Sequence, residues 1–317
     1  MASVALSFFM AFLVVHIATP KMIKLFKAKA ITSPDVHKLG KPRIPCLGGL
    51  VVITGLMVGY MAGALSCGVD GYSIAMFMLT ALLVGLIGLI DYIINLRQRT
   101  KVLLCLFAGL PLALTFTGET ILRTPLGVIE LGVLYYIGIP FVITASSNLT
   151  NMLAGYNGLE AGLGSVISAT MLASAIILHQ QDTVVMMAAL LGSLVAFLFY
   201  NWYPARVFLS DVGTLSIGTV IAVAAITGRM KMSFLVCMTP YIIDFFMKAS
   251  VKFQGRARHG DAKISSDGTL NPPPYPSLPH LFLKYKRSNE PRLVKAMLLF
   301  EAMFCSITLA YTFLRAI

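Results

Sequence analysis

Apolar runs near twenty residues recur along the whole chain, at about 2–19, 44–66, 72–94, 102–117, 127–146, 159–179, 184–200, 212–228, 232–251 and 293–314. Runs of that length match the roughly 30 Å hydrocarbon core of a bilayer at 1.5 Å per helical residue. A chain that repeats them has few folds open to it, because backbone polar groups in lipid must be satisfied within helices or closed barrels. The expectation is an all-α polytopic integral membrane protein of about ten transmembrane helices, forming a single domain over residues 1–317. Composition agrees: 57% of the 317 residues are hydrophobic and only 12% charged, about half the charge of an ordinary globular chain. Mean hydropathy is +0.83.

The first run has no basic segment before it and no small-residue cleavage site, and Lys21, Lys24, Lys27 and Lys29 follow it. It reads as a retained span, not a signal peptide. If its basic end is cytoplasmic and the spans alternate, all but four of the 25 Lys and Arg fall on the inside, the exceptions being Arg123, Arg229, Lys231 and Arg315. Such a bias is the positive-inside pattern. It accounts for the net charge of +12 without nucleic acid as a partner; the partner is the lipid bilayer. Five scattered cysteines with no Cys-x-x-Cys pair argue against a disulfide framework or a zinc site.

The inner loops concentrate the polar chemistry. The third span ends in DYIINLRQRTK, placing Asp91 at the membrane surface before Lys101; the fifth ends in NLTNMLAGYNGLEAG, with Asn148, Asn151, Asn157 and Glu160. The seventh runs into NWYPARVFLSD, with Phe208 and Asp211, and a long cytoplasmic loop at about 252–292 carries Arg258 and His259. The prolines of that loop disfavour regular structure, so it reads as functional or disordered. Proline at 111, 140 and 240 predicts kinked helices. Carboxylates and amide oxygens together with Lys, Arg and His make up the set that Mg²⁺ and phosphates require, and four such loops on one side imply one shared site. Taken singly, each residue has a plainer role: an interfacial Asp caps a helix or pairs with a cation, and asparagines form Asx turns or interhelical bonds.

Read together, these strings resemble the polyprenyl-phosphate N-acetylhexosamine-1-phosphate transferase family, most closely its UDP-GlcNAc:dolichyl-phosphate branch. SPDVHKLGKPRIPCLGG, near residues 33–49, is similar to the family's first cytoplasmic loop. The resemblance implies ten spans, a cytoplasmic active site, Mg²⁺ (Mn²⁺ as a substitute), and transfer of GlcNAc-1-phosphate from UDP-GlcNAc to dolichyl phosphate with release of UMP. That reaction is the first membrane step of lipid-linked oligosaccharide synthesis for N-glycosylation. It further implies that Asp211 and Asn151 bind the metal, Lys101 and Arg258 the pyrophosphate, Asn157 and Phe208 the uracil, and His259 the sugar, with Asn148 and Glu160 in support. Asp91 would position the acceptor phosphate or take its remaining proton.

Two residues depart from the family pattern. Tyr92 stands where relatives carry a second aspartate, and Ser210 where they carry glycine; the first makes Asp91 the important member of its pair. The membrane would be the cell membrane in a prokaryote and the endoplasmic reticulum in a eukaryote, and a homodimer is an open assembly state. Two alternatives stand beside this reading. One keeps the family and changes the substrates, to another UDP-N-acetylhexosamine such as UDP-MurNAc-pentapeptide or to undecaprenyl phosphate. The other is a secondary transporter using Asp244 and Glu301, acids inside spans.

Overall fold

The computed structural model describes residues 1–124, 127–251, 262–273 and 276–316. Helix α1 (Ala2–Ala28) is followed by a short hairpin, β1 (Thr32–Pro34) and β2 (Arg43–Pro45). Helices α2 (Gly49–Ser66), α3 (Gly71–Ile94), α4 (Gln98–Ala108) and α5 (Leu110–Thr115) lead to a second hairpin, β3 (Ile121–Thr124) and β4 (Gly127–Glu130). Then come α6 (Val133–Met152), α7 (Leu159–Ile177), α8 (Gln181–Asn201), α9 (Ser210–Thr227), α10 (Lys231–Cys237) and α11 (Thr239–Ser250). A two-residue hairpin, β5 (Lys263–Ile264) with β6 (Leu270–Asn271), precedes α12 (Leu278–Tyr285) and α13 (Glu290–Ala316).

Among the described residues, eight single helices are long and apolar enough to cross a bilayer; α10 with α11, bent by 56°, raises the number to nine if the two count as one span. The fourth apolar run differs from expectation: it is two helices broken at Gly109, neither long enough alone. Together they cover residues 98–115, about 27 Å of helix, and they run along α6 from end to end. Gln98 bonds Asn148 near one end of α6. Gly109 lies where an added methyl would meet Pro140 at 2.8 Å, and Phe116 packs on Tyr135 at the other end. The pair therefore lies antiparallel along α6, and it is not among the helices long and apolar enough to cross a bilayer.

One other expectation needs correction. The first residues of the fifth run, Gly127–Glu130, are a strand paired with β3, because an exposed alternating segment next to a turn gains more from a partner strand than from a solvated helix end. Helix α6 runs unbroken through Pro140, whereas the breaks near Pro111 and Pro240 fall just before them, where a proline opens the following helix without costing a hydrogen bond. The described parts of the long loop are ordered: Ser277 caps α12, Pro279 sits in its first turn, and Leu278 and Leu283 are buried. The five cysteines are all free.

Helix α9 is the centre, with 83% of its apolar window buried against 22% for α1 at the rim. Its neighbours approach over small residues, the usual means of close packing in lipid: Gly218 lies on the Ser146 carbonyl of α6, and Gly88 of α3 on the backbone of Val212. Peripheral helices turn Phe9, Leu13 and Ile17, or Leu299, Ile307 and Phe313, outward, as lipid-facing sides require.

Candidate active site

The end of the bundle that carries most of the lysines and arginines also gathers the polar motifs. Gly88 and Gly213 bring the α3 and α9 backbones together with α2: a methyl on Gly88 would stand 2.7 Å from Val212 N, and one on Gly213 3.0 Å from the Gly49 Cα. One turn beyond Gly88, Asp91 therefore projects toward the start of α9, where Asp211 lies. Between them sits Lys101 of α4. Its ammonium donates to Asp91 Oδ2 at 2.8 Å and to Asp211 Oδ2 at 3.1 Å. Asp91 Oδ1 accepts from the Leu96 amide at 2.8 Å, in the turn that Asn95 makes at φ +52°. Both Asp91 oxygens are thus engaged, and its side chain is 8% exposed against 35% for Asp211.

Helix α6 supplies the neighbouring asparagines. Asn148 accepts from Gln98 and donates to the Thr144 carbonyl. Thr150 donates to the Thr214 carbonyl of α9, so Asn151 follows directly on the contact that sets α6 against the first turn of the Asp211 helix. The Asn151 amide nitrogen is buried without a hydrogen-bond partner. Since amide N and O are exchanged by a simple flip, that side chain can present its oxygen to a cation.

This donor set fits Mg²⁺, which takes one or two carboxylates and completes its shell with substrate phosphate oxygens. The Lys101 ammonium already occupies a cationic position between two carboxylates. Among the described residues no three His, Cys, Asp or Glu side chains are placed to hold a metal ion together.

A strand-like pairing joins residues 45–49 to 208–210. Phe208 N donates to Pro45 O, and Gly48 N and Gly49 N donate to Phe208 O and Leu209 O. Ser210, where relatives carry glycine, has φ +62°, a conformation glycine adopts without strain. Here its hydroxyl accepts from Leu47 N at 2.9 Å, which offsets that strain. Ser210→Gly is therefore expected to leave the unfolding temperature and turnover close to wild type; a loss of activity beyond threefold would show that the hydroxyl has a role of its own. Tyr92, in place of the family's second aspartate, is engaged with Cys46. Burial pushes the Cys46 thiol up, so it remains a neutral partner and no nucleophile.

Asn157 lies in a second cluster on the same face. Its amide donates to Glu290 Oε1 at 2.6 Å and Asp35 Oδ2 at 3.1 Å, and its oxygen accepts from Ala205 N at 3.0 Å. Lys38 pairs with both Asp35 and Glu290 and stands over the Tyr203 ring. His37 stacks on Tyr156 with ring centroids 4.4 Å apart. The Asn157 side chain thus ties together the first loop, the loop before α9 and the start of α13. Glu160 also braces the loop, accepting from Gly155 N, while Gly155 and Gly158 take φ of +120° and +80°. Arg258 and His259 lie outside the described residues.

Sequence reading missed Gln98, Asp35, Lys38 and Glu290. Asp35 and Lys38 stand in the motif SPDVHKLGKPRIPCLGG and could have been singled out there; Glu290 gave no signal beyond being an acid at the start of an apolar run. Of the two acids considered for transport, Asp244 is paired with Lys248 at 2.7 Å and accepts from Leu278 N. Glu301 is fully buried and accepts from the Cys305 thiol.

A polytopic helical bundle with a Lys-bridged carboxylate pair and asparagines at one end has the makings of a membrane-embedded transferase of phosphorylated substrates. The glycosyl transferase family 4 model matches residues 74–229, a segment from α3 to α9 that includes every described site residue proposed from sequence. The chain belongs to glycosyl transferase family 4. A Sulfolobus acidocaldarius relative, provisionally named a UDP-N-acetylglucosamine–dolichyl-phosphate N-acetylglucosaminephosphotransferase, is 33% identical over 97% of this chain and 96% of its own length. The enzyme of that name from Dictyostelium discoideum is 32% identical over 50% of this chain and 48% of its own. A phospho-N-acetylmuramoyl-pentapeptide-transferase from Enterococcus faecalis is 29% identical over 70% of this chain and 74% of its own.

Proposed function

We propose that this protein transfers GlcNAc-1-phosphate from UDP-GlcNAc to a dolichyl-type polyprenyl phosphate at the cytoplasmic face, releasing UMP and opening lipid-linked oligosaccharide synthesis for N-glycosylation. The observation that carries the reading is the Lys101 ammonium held between Asp91 and Asp211, beside an unpartnered Asn151 amide. Agreement with relatives of that name over nearly the whole chain supports the choice of sugar and acceptor.

The chemistry follows from charge. The acceptor is a phosphate monoester with a second pKa of about 6, so near neutrality it is mostly a dianion and a competent nucleophile. It attacks the β-phosphorus of UDP-GlcNAc; the bond from that phosphorus to the bridging oxygen breaks, and UMP leaves with the electron pair. The obstacle is repulsion between anions, and catalysis consists of placing positive charge where negative charge gathers. Lys101 is fixed for that task by two carboxylates from different helices. Asp91 has both oxygens engaged, which suits a residue that orients Lys101 and disfavours a covalent aspartyl intermediate. Asp211 and Asn151 would hold Mg²⁺, with Mn²⁺ as a substitute, and the bound ion would neutralise pyrophosphate charge. Arg258 would add to that neutralisation, Phe208 would meet the uracil, and His259 the sugar.

The test is UMP release by the detergent-purified protein from UDP-GlcNAc, with and without dolichyl phosphate and Mg²⁺, with UDP-GalNAc, UDP-Glc and UDP-MurNAc-pentapeptide in parallel. Release is expected to need both lipid and metal and to be fastest with UDP-GlcNAc. Faster release from UDP-MurNAc-pentapeptide with undecaprenyl phosphate would move the protein to the other branch, and a labelled protein adduct formed without acceptor would replace direct displacement by a two-step route.

A further inference from the structure

The four basic residues that break the charge bias do not scatter. Arg123 lies in β3, Arg229 and Lys231 flank the turn between α9 and α10, and Arg315 is in the last turn of α13, yet all four meet at the end of the bundle opposite Lys101. Glu119 is the acid that pairs with them: its Oε1 faces Arg229 at 2.8 Å and its Oε2 faces Arg123 at 3.1 Å. Lys231 spends its ammonium on the Glu119 and Ile121 carbonyls and over the Tyr135 ring. Arg315 donates to the Arg229 carbonyl at 2.7 Å, and Tyr311 to that of Arg123 at 3.3 Å.

Four cations and one carboxylate leave an excess of three positive charges at one place. Arg229 also holds φ +55°, at a helix end where glycine or asparagine would sit without strain. Desolvation pushes the Glu119 carboxyl up, but its Arg123 and Arg229 partners outweigh this and hold it below the ordinary range, so it stays ionised and competes with any other anion for two of the guanidiniums. Beside this cluster opens a groove of about 570 Å³, walled by Arg123, Arg229, Arg315, Gln180, Leu178 and Leu314. Guanidiniums present several N–H donors in a fork that matches a phosphate, and they are less strongly hydrated than an ammonium.

We propose that this groove, at the end of the bundle away from the transferase site, binds a phosphate group, with the arginines on its oxygens and the Leu178–Leu314 wall against apolar chain. An anionic phospholipid headgroup brings both features; free inorganic phosphate brings only the first. The site is independent of the proposed reaction.

The test uses the full chain in neutral detergent and reads thermal unfolding and equilibrium binding of fluorescent phosphatidylglycerol, with phosphatidylcholine and inorganic phosphate as comparisons. The double variant R123Q/R315Q is expected to weaken phosphatidylglycerol binding by roughly tenfold or more, while R315K retains most of it. E119Q removes the competing carboxylate and is expected to tighten binding about threefold, an effect that a folding defect cannot mimic. Stabilisation by phosphatidylglycerol beyond that by inorganic phosphate, and lost in R123Q/R315Q, identifies a lipid headgroup. Equal stabilisation by both, lost in the same variant, identifies free phosphate. Wild-type binding in R123Q/R315Q, or weaker binding in E119Q, would overturn the proposal.

Discussion

Replacing Lys101 by methionine is expected to lower the turnover of UMP release by roughly 10²–10³-fold, the usual effect of removing one fixed charge-stabilising donor. Methionine keeps most of the stem volume of lysine, so the change is chiefly the loss of the ammonium that touches Asp91 and Asp211. Those carboxylates would then face each other without a counter-charge, and the start of α9 would loosen or one of them would take up a proton. An interaction made mainly in the transition state should reduce kcat and kcat/KM together, with the KM for UDP-GlcNAc little changed. Lys101→Arg restores the charge as a longer planar fork and is expected to recover only part of the rate. Undiminished turnover in the methionine variant, from protein that unfolds at its usual temperature, would remove the cluster from the chemistry.

The crossings were legible because hydrocarbon thickness sets a length that ten runs repeat, and because loop charge is a second, independent record of topology. Less legible was where a run breaks. Pro111 and Pro240 point to the breaks at Gly109 and Met238, but Pro140 carries the same signal inside a continuous α6. The segment Gly127–Glu130 shows the same limit: its apolar residues suit a span, and only the adjacent β3 makes it a strand. At the site, Asp91, Lys101 and Asp211 could be named from motifs, but not the bridge between them, since Asp211 lies 110 positions from Lys101 and meets it only where glycines let α3 and α9 touch. Asn157 marks the opposite case. Its motif points to a ligand, while its side chain is fully used by Asp35, Glu290 and Ala205, partners on three segments that no local pattern joins.

The two aspartates should separate under a magnesium titration. Asp211 meets Lys101 through Oδ2 and is 35% exposed, whereas Asp91 is 8% exposed and anchored by the Leu96 amide as well as by Lys101. Asp211 is thus the carboxylate that a ligand can reach, and Asp91 the one that holds Lys101 in place. Asp211→Asn keeps the shape and removes the charge, so a site sharing Mg²⁺ with a pyrophosphate should lose affinity for the ion. Activity at ordinary Mg²⁺ is expected to fall at least 10²-fold, with part of it returning as Mg²⁺ is raised. Asp91→Asn should lower the rate comparably but leave the Mg²⁺ midpoint where it was, because the defect lies in the aim of Lys101. Full activity of Asp211→Asn at ordinary Mg²⁺ would exclude it from the metal site, and a Mg²⁺ shift confined to Asp91→Asn would exchange the two roles. Because both variants retain an amide oxygen toward Lys101, a difference between their titrations reports on charge at the metal and not on lost packing.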